Sequence, residues 1–207
     1  MGEVPGLRER KKLRTRRALI AGAVRLFLEK GYEQTTVSEI AAAAEVSTRT
    51  FFSYFASKEE VLLYNARESL DRVLRTVAER RSGEGPADLL TRAVGTVFEV
   101  IAGDAELGRE ITSVNHLIMT VPSLRAHALL LLFDTQRELA EALHRACPDE
   151  LDLVEAAAAV GAVMGATKLA GYISLGRGDP SEEVVESCRR AAELTLAGLR
   201  VITTPKA

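Results

Sequence analysis

Apolar positions recur along the chain at spacings of three and four, and nowhere do they alternate for long with polar positions between turn signals. That periodicity predicts helices throughout and no strand. The sharpest pattern lies at residues 35–58, TTVSEIAAAAEVSTRTFFSYFASK. Val37, Ile40, Ala41 and Ala44 fall on one side of a short helix over about 37–44. Thr36, with Glu39 three residues on, has the form of a capping box, which satisfies the orphan backbone donors of a first turn. Ser47 is placed to cap a second short helix whose inward residues are Phe51 and Phe55, and Glu45 and Val46 make the turn between the two.

The same reading extends in both directions. Leu19, Ala23, Leu26 and Phe27 share a face of a helix over about 13–30, closed by Gly31. Ser57 is expected to cap a helix over 58–81, with Glu59 and Glu60 in the first turn, where the helix dipole favours acids. Ser82, Gly83, Glu84, Gly85 and Pro86 break the chain. Further helices are expected over 87–102, up to Met119 after a poorly defined turn at 103–108, over 122–146 behind Pro122, and over 150–175 and 180–202. The result is an all-α chain of about nine helices. A three-helix helix–turn–helix unit occupies 1–57, and a helical body occupies 58–207.

Charge sharpens this division. Residues 1–58 hold 11 Lys/Arg against 6 Asp/Glu, whereas the remainder holds 16 against 23, although the net charge is only -2. A basic head on an acidic body suits a DNA-contacting surface attached to something else. Residues 8–17, RERKKLRTRR, are either a solvated tail or an arm that touches phosphates and adds salt-sensitive affinity. A helix–turn–helix sets its second helix in the major groove of duplex DNA. Ser47, Thr48, Arg49 and Thr50 then reach base edges, and Arg49 is suited to bidentate contact with guanine or to a phosphate.

The same composition excludes other classes. Cys147 and Cys188 have no metal or disulfide spacing. The three histidines, His116, His127 and His144, lack metal spacing, and no nucleophile–base pair or Gly-rich phosphate loop is present, so an enzyme, a metal site and a cofactor are not expected. No apolar signal region opens the chain, and the apolar run at 156–167 ends at Lys168, short of the ~20 residues that cross a bilayer. A cytoplasmic protein without a membrane partner is expected.

Residues 14–63, above all GYEQTTVSEIAAAAEVSTRTFFSYFASKEEVL, closely resemble the N-terminal domain of the tetracycline-repressor (TetR) family of bacterial transcription regulators. The resemblance implies that Arg14 and Arg17, at the start of the first helix, face the DNA backbone, with Thr36 and Tyr54 on phosphates. It also implies that Lys58, which stands against the dipole preference of its helix, contacts a phosphate. Phe52 falls where the family usually has tyrosine, and Arg49 where many members have glycine. The RTFF-type recognition helix is similar to actinobacterial branches of the family, some of which sense acyl-CoA or lipophilic compounds.

For the body, the resemblance implies a pocket for a small, lipophilic inducer that separates two DNA heads. Val97, Ile101, Met119, Leu130, Phe133 and Met164 are candidate lining, and Asn115, His116, Gln136 and Lys168 are candidate polar contacts. Small residues over 156–171, with Ala191, Leu194, Ala197 and Gly198, mark either a partner face or a tight core. In the family the last two helices form a four-helix homodimer interface. The leading expectation is a ligand-responsive repressor of a near-palindromic operator. The alternative is a DNA-binding protein whose C-terminal half only dimerises or recruits a protein partner.

Overall fold

A computed structural model describes residues 6–202; the outer ends of both expected segments, 1–5 and 203–207, lie outside the described residues. Among these residues there are nine helices and no strand: α1 (Leu7–Lys30), α2 (Val37–Ala43), α3 (Thr48–Phe52), α4 (Lys58–Ala78), α5 (Pro86–Ala102), α6 (Ala105–Thr120), α7 (Pro122–Ala146), α8 (Leu153–Arg177) and α9 (Ser181–Ile202).

Helix α1 begins earlier than the apolar pattern indicates, so the basic run is helical rather than a frayed tail. Arginine and lysine are strong helix formers that need no buried partner, and a search for an apolar stripe overlooks them. Gly31 ends α1 at a φ of 93°, a backbone conformation that side chains disfavour. The capping box of α2 is complete: Thr36 Oγ1 accepts from the Glu39 amide at 3.3 Å, and Glu39 Oε2 accepts from the Thr36 amide at 2.8 Å. In the turn Glu45 takes a left-handed φ of 56°, and the Val46 amide donates to Ala41 O at 2.9 Å. Ser47 Oγ then accepts from the Thr50 amide at 3.0 Å and starts α3.

The loose turn expected at 103–108 shrinks to Gly103 and Asp104. Asp104 Oδ1 accepts from the amides of Glu106 and Leu107, each at 3.1 Å, and α6 starts at once. Between α4 and α5, Arg92 grips Glu84 with two bonds, Nε to Oε1 at 2.7 Å and Nη2 to Oε2 at 2.8 Å. The hydrogen bonds from Arg92 outweigh the desolvation of Glu84 and hold its carboxyl down at about 2.

Two apolar cores result. Leu19, Phe27, Ile40, Phe51 and Phe55 form the centre of the head, and burying each removes about 1.5–3 kcal/mol of hydrophobic exposure. That core also takes in Val61 and Leu62 of α4, Val114 and Leu117 of α6, and Leu124 of α7. The second core joins α4, α5, α7, α8 and α9 through Val77, Leu89, Leu143, Val160 and Leu196. Helix α8 runs well past the apolar segment at 156–167. Its 25 residues are long and apolar enough, by length and composition alone, to cross a membrane, a test that the core helix of a soluble protein also passes.

Candidate nucleic-acid interface and ligand cavity

The head presents α3 outward. Thr48 and Arg49 are exposed, and Arg49 makes no hydrogen bond or ion pair among the described residues. Ser47 and Thr50 are spent partly on each other, with their hydroxyl oxygens 2.9 Å apart. Phe51 is fully buried beneath them, and Phe52 is 57% exposed with its ring edge-on to Phe51.

Along α1 the basic residues divide. Arg14 is exposed without a partner among the described residues. Arg17 is exposed too, but its Nη2 lies 3.8 Å from Asp104 Oδ2, the cap of α6, a surface pair worth about 0–1 kcal/mol. Arg16, to which the sequence assigns no role, braces the head. Its Nη1 donates to Tyr64 Oη at 2.8 Å, and its guanidinium sits 4.7 Å from the Tyr64 ring centre and 5.9 Å from that of Tyr54. Burial, then the carboxylate of Glu68, raise the Tyr64 phenol to about 12. Tyr54 is therefore half-buried under Arg16, and its hydroxyl makes no bond among the described residues.

Lys58 has a different setting from the one its position in the sequence indicates. Its Nζ donates to Tyr32 O at 2.9 Å and Thr35 O at 3.3 Å, and stands 4.1 Å from the Tyr32 ring centre. A cation at the start of a helix is thus explained by the carbonyls of the preceding α1–α2 loop, without a phosphate.

In the body a cavity of about 320 Å³ lies between α4, α5, α6, α7, α8 and α9, within the range of small-molecule sites. Its walls are mainly aliphatic, with Leu70, Val73, Phe98, Ile118 and Leu131 among them. Several polar groups on the wall are already engaged. Thr112 donates to Gly108 O at 2.9 Å, Thr167 to Val163 O at 2.8 Å, and Asn65 to Glu110 at 2.5 Å. Asn115, Thr135 and Lys168 have no such partner among the described residues. Lys168 is exposed, and desolvation by the side chains around it lowers its ammonium below the ordinary lysine value.

Residues 19–64 match the family of bacterial regulatory proteins called tetR. Over 129 residues the chain is 42% identical to the HTH-type transcriptional regulator TcmR of Streptomyces glaucescens. Residues 19–64 are thus similar to the N-terminal domain of the TetR family. That match covers 60% of this chain and 57% of TcmR, so the chain spans little more than half the length of this curated relative. The fatty acid degradation regulator FadR from Bacillus halodurans shares the fold at a TM-score of 0.57 and 22% identity, over 96% of this chain and 99% of its own. Thermus thermophilus FadR, a transcriptional repressor solved in complex with lauroyl-CoA, does so at 0.53 and 24%, over 93% and 97%.

Within the body, Val97, Ile101, Asn115, Met119, Met164 and Lys168 line the cavity. His116, Phe133, Gln136 and Leu130 do not. Phe133 is 69% exposed, Leu130 is 67% exposed, His116 is on the surface, and Gln136 is off the cavity wall. For Leu130, Phe133 and Gln136 the reason is the phase of α7, which turns Ala128, Leu131, Leu132, Thr135 and Leu139 inward at three-and-four spacing. His116 lies on α6, which turns Ile111, Asn115 and Ile118 inward instead. Leu62 and Val114 are legible in the sequence only as packing residues; they belong to the head core and also line the cavity.

Proposed function

We propose that this chain is a ligand-responsive repressor that binds a near-palindromic operator as a homodimer and releases it when a small apolar inducer fills the cavity. The observation that carries this reading is the shared wall. Leu62 on α4 and Val114 on α6 touch the cavity on one side and the packed head on the other. An occupant that fits one placement of α4 and α6 better than another biases the position of the head, and only such differential affinity shifts the equilibrium.

On DNA, Thr48 and Arg49 read bases, with Ser47 and Thr50 shaping the same turn, and Arg14, Thr36 and Tyr54 hold phosphates. Arg17 exchanges Asp104 for a phosphate. Lys58 acts by positioning the loop at Tyr32–Thr35. The homodimer reading is supported by an exposed stripe on α8, where Val154, Ala158, Gly161, Gly165, Leu169 and Ile173 recur at three-and-four spacing, and by Leu194 on α9, 78% exposed. Among the described residues, and apart from the backbone of their own helix turns, nothing lies within 4 Å of a Cβ placed at Gly161, Gly165 or Gly198, which leaves room for a second backbone. Two recognition helices then fall about 34 Å apart, one turn of B-DNA. The apolar walls, and the lauroyl-CoA held by Thermus thermophilus FadR, support an inducer with an apolar body.

Operator selection from random duplexes, run side by side on wild type and Arg49→Ala, tests the reading. The expected result is a palindromic site whose preference relaxes at one symmetric position in the variant, at about 1–3 kcal/mol per base pair read. Selected DNA should then be displaced by apolar compounds. Release by salt alone, with no compound effective, sinks the inducer reading.

A further inference from the structure

Lys168 is the only charged residue on the cavity wall among the described residues; no carboxylate, arginine or histidine lines it. Its ammonium has no hydrogen bond or ion pair among them, and its neighbours on the wall include Val163, Met164 and Leu175 of the same helix and Val184 of α9. A thiol, Cys188, faces α8 closely enough that a Cβ on Gly171 would meet its sulfur at 2.9 Å. A thiol cannot neutralise an ammonium unless it ionises, and burial, the largest influence on Cys188, keeps it protonated by raising its pKa above the ordinary value. Lys168 is itself exposed, so water solvates its ammonium; an acid seated among these apolar walls finds in it the one opposite charge that the described residues offer.

We infer that the occupant of this cavity is an amphipathic anion, an apolar body carrying one carboxylate or comparable acidic group, whose charge is met by Lys168. The inference rests on the cavity being the inducer site. Asn115 and Thr135 also line the space with unspent hydrogen-bonding groups, and they supply further donors for an anionic head. A neutral lipid fills the same walls but leaves the ammonium unanswered; a dianion brings more charge than one lysine neutralises.

The test uses the full chain, a neutral apolar dye, N-phenyl-1-naphthylamine, and two competitors of matched length, decanoate and 1-decanol. Wild type should take decanoate at least about tenfold more tightly than decanol, the scale of a charged hydrogen bond. Lys168→Met should abolish the preference by weakening decanoate alone, and Lys168→Arg should keep it. Equal affinity of wild type for both competitors, or a preference that survives Lys168→Met, overturns the inference. Leu131→Trp, which narrows the cavity, separates that failure from failure of the site. If this variant loses the binding of both competitors, the cavity reading stands whatever becomes of the anion. If both still bind it as they bind wild type, they sit elsewhere and both readings fall. Lys168→Met should melt with wild type, since the side chain it replaces is exposed, which shows that any loss of decanoate binding is not a loss of fold.

Discussion

Lys58 gives the clearest contest between a phosphate ligand and a structural brace. Lys58→Met removes two charge-assisted bonds to the carbonyls of Tyr32 and Thr35 and the cation over the Tyr32 ring. The two bonds share one partly exposed ammonium, one of them long at 3.3 Å, so together they contribute about 1.5–3 kcal/mol, and the cation–π pair adds about 0.5–1. The variant also sheds an unfavourable charge at the N-terminus of α4, which returns about 0.3–1 kcal/mol. The expected net destabilisation is about 2 kcal/mol, or roughly 4–8 °C in Tm for a chain of this size. Urea and thermal melts measure it, beside the salt dependence of operator affinity. For every phosphate that the protein ceases to neutralise, the slope of log K against log salt should become shallower by about 0.9. A brace lowers stability and leaves the slope alone. A variant that melts with wild type while its salt slope becomes shallower refutes the reasoning, and returns Lys58 to the DNA.

Two further expectations concern the fold. Gly31→Ala should destabilise by about 1–3 kcal/mol in a urea melt through backbone strain alone, since φ is 93° and, chain neighbours apart, no described residue lies within 4 Å of the added methyl. The Glu84 carboxyl is depressed to about 2 from an ordinary 4.5, so its pairing with Arg92 stabilises fully above about pH 4.5 and fades as pH falls toward 2. Glu84→Gln should cost about 1 kcal/mol near neutrality, and its stability curve should converge with wild type in acid; parallel curves down to pH 2 contradict the assignment.

The head is legible in the sequence because its signals are local. Thr36, Ser47 and Ser57 each cap the helix that begins after them, and Phe51 and Phe55 point inward from one short segment. The role of Arg16 depends on Tyr64, 48 residues away, and no spacing along the chain announces it. The cavity is half legible for a related reason. Residues 128–133 of α7 read Ala-Leu-Leu-Leu-Leu-Phe, apolar all round, so the pattern carries no phase, and Phe133 and Leu130 face outward where lining is expected. Lys168 and Asn115, polar residues in apolar surroundings, stand out against their neighbours and do fall on the wall.

The double duty of Leu62 and Val114 has a consequence for how such a chain can change. On the proposed function, linkage makes the coupling reciprocal, so that whatever factor an occupant takes from operator binding the operator takes from the occupant, and Leu62 and Val114 stand where the two packings meet. Reshaping the cavity at either position for a new compound therefore resets the grip on DNA in the same step. Residues such as Phe98 or Met164, which line the cavity but lie outside the head core, are free of that constraint, and lineages that acquire new inducers should vary there first.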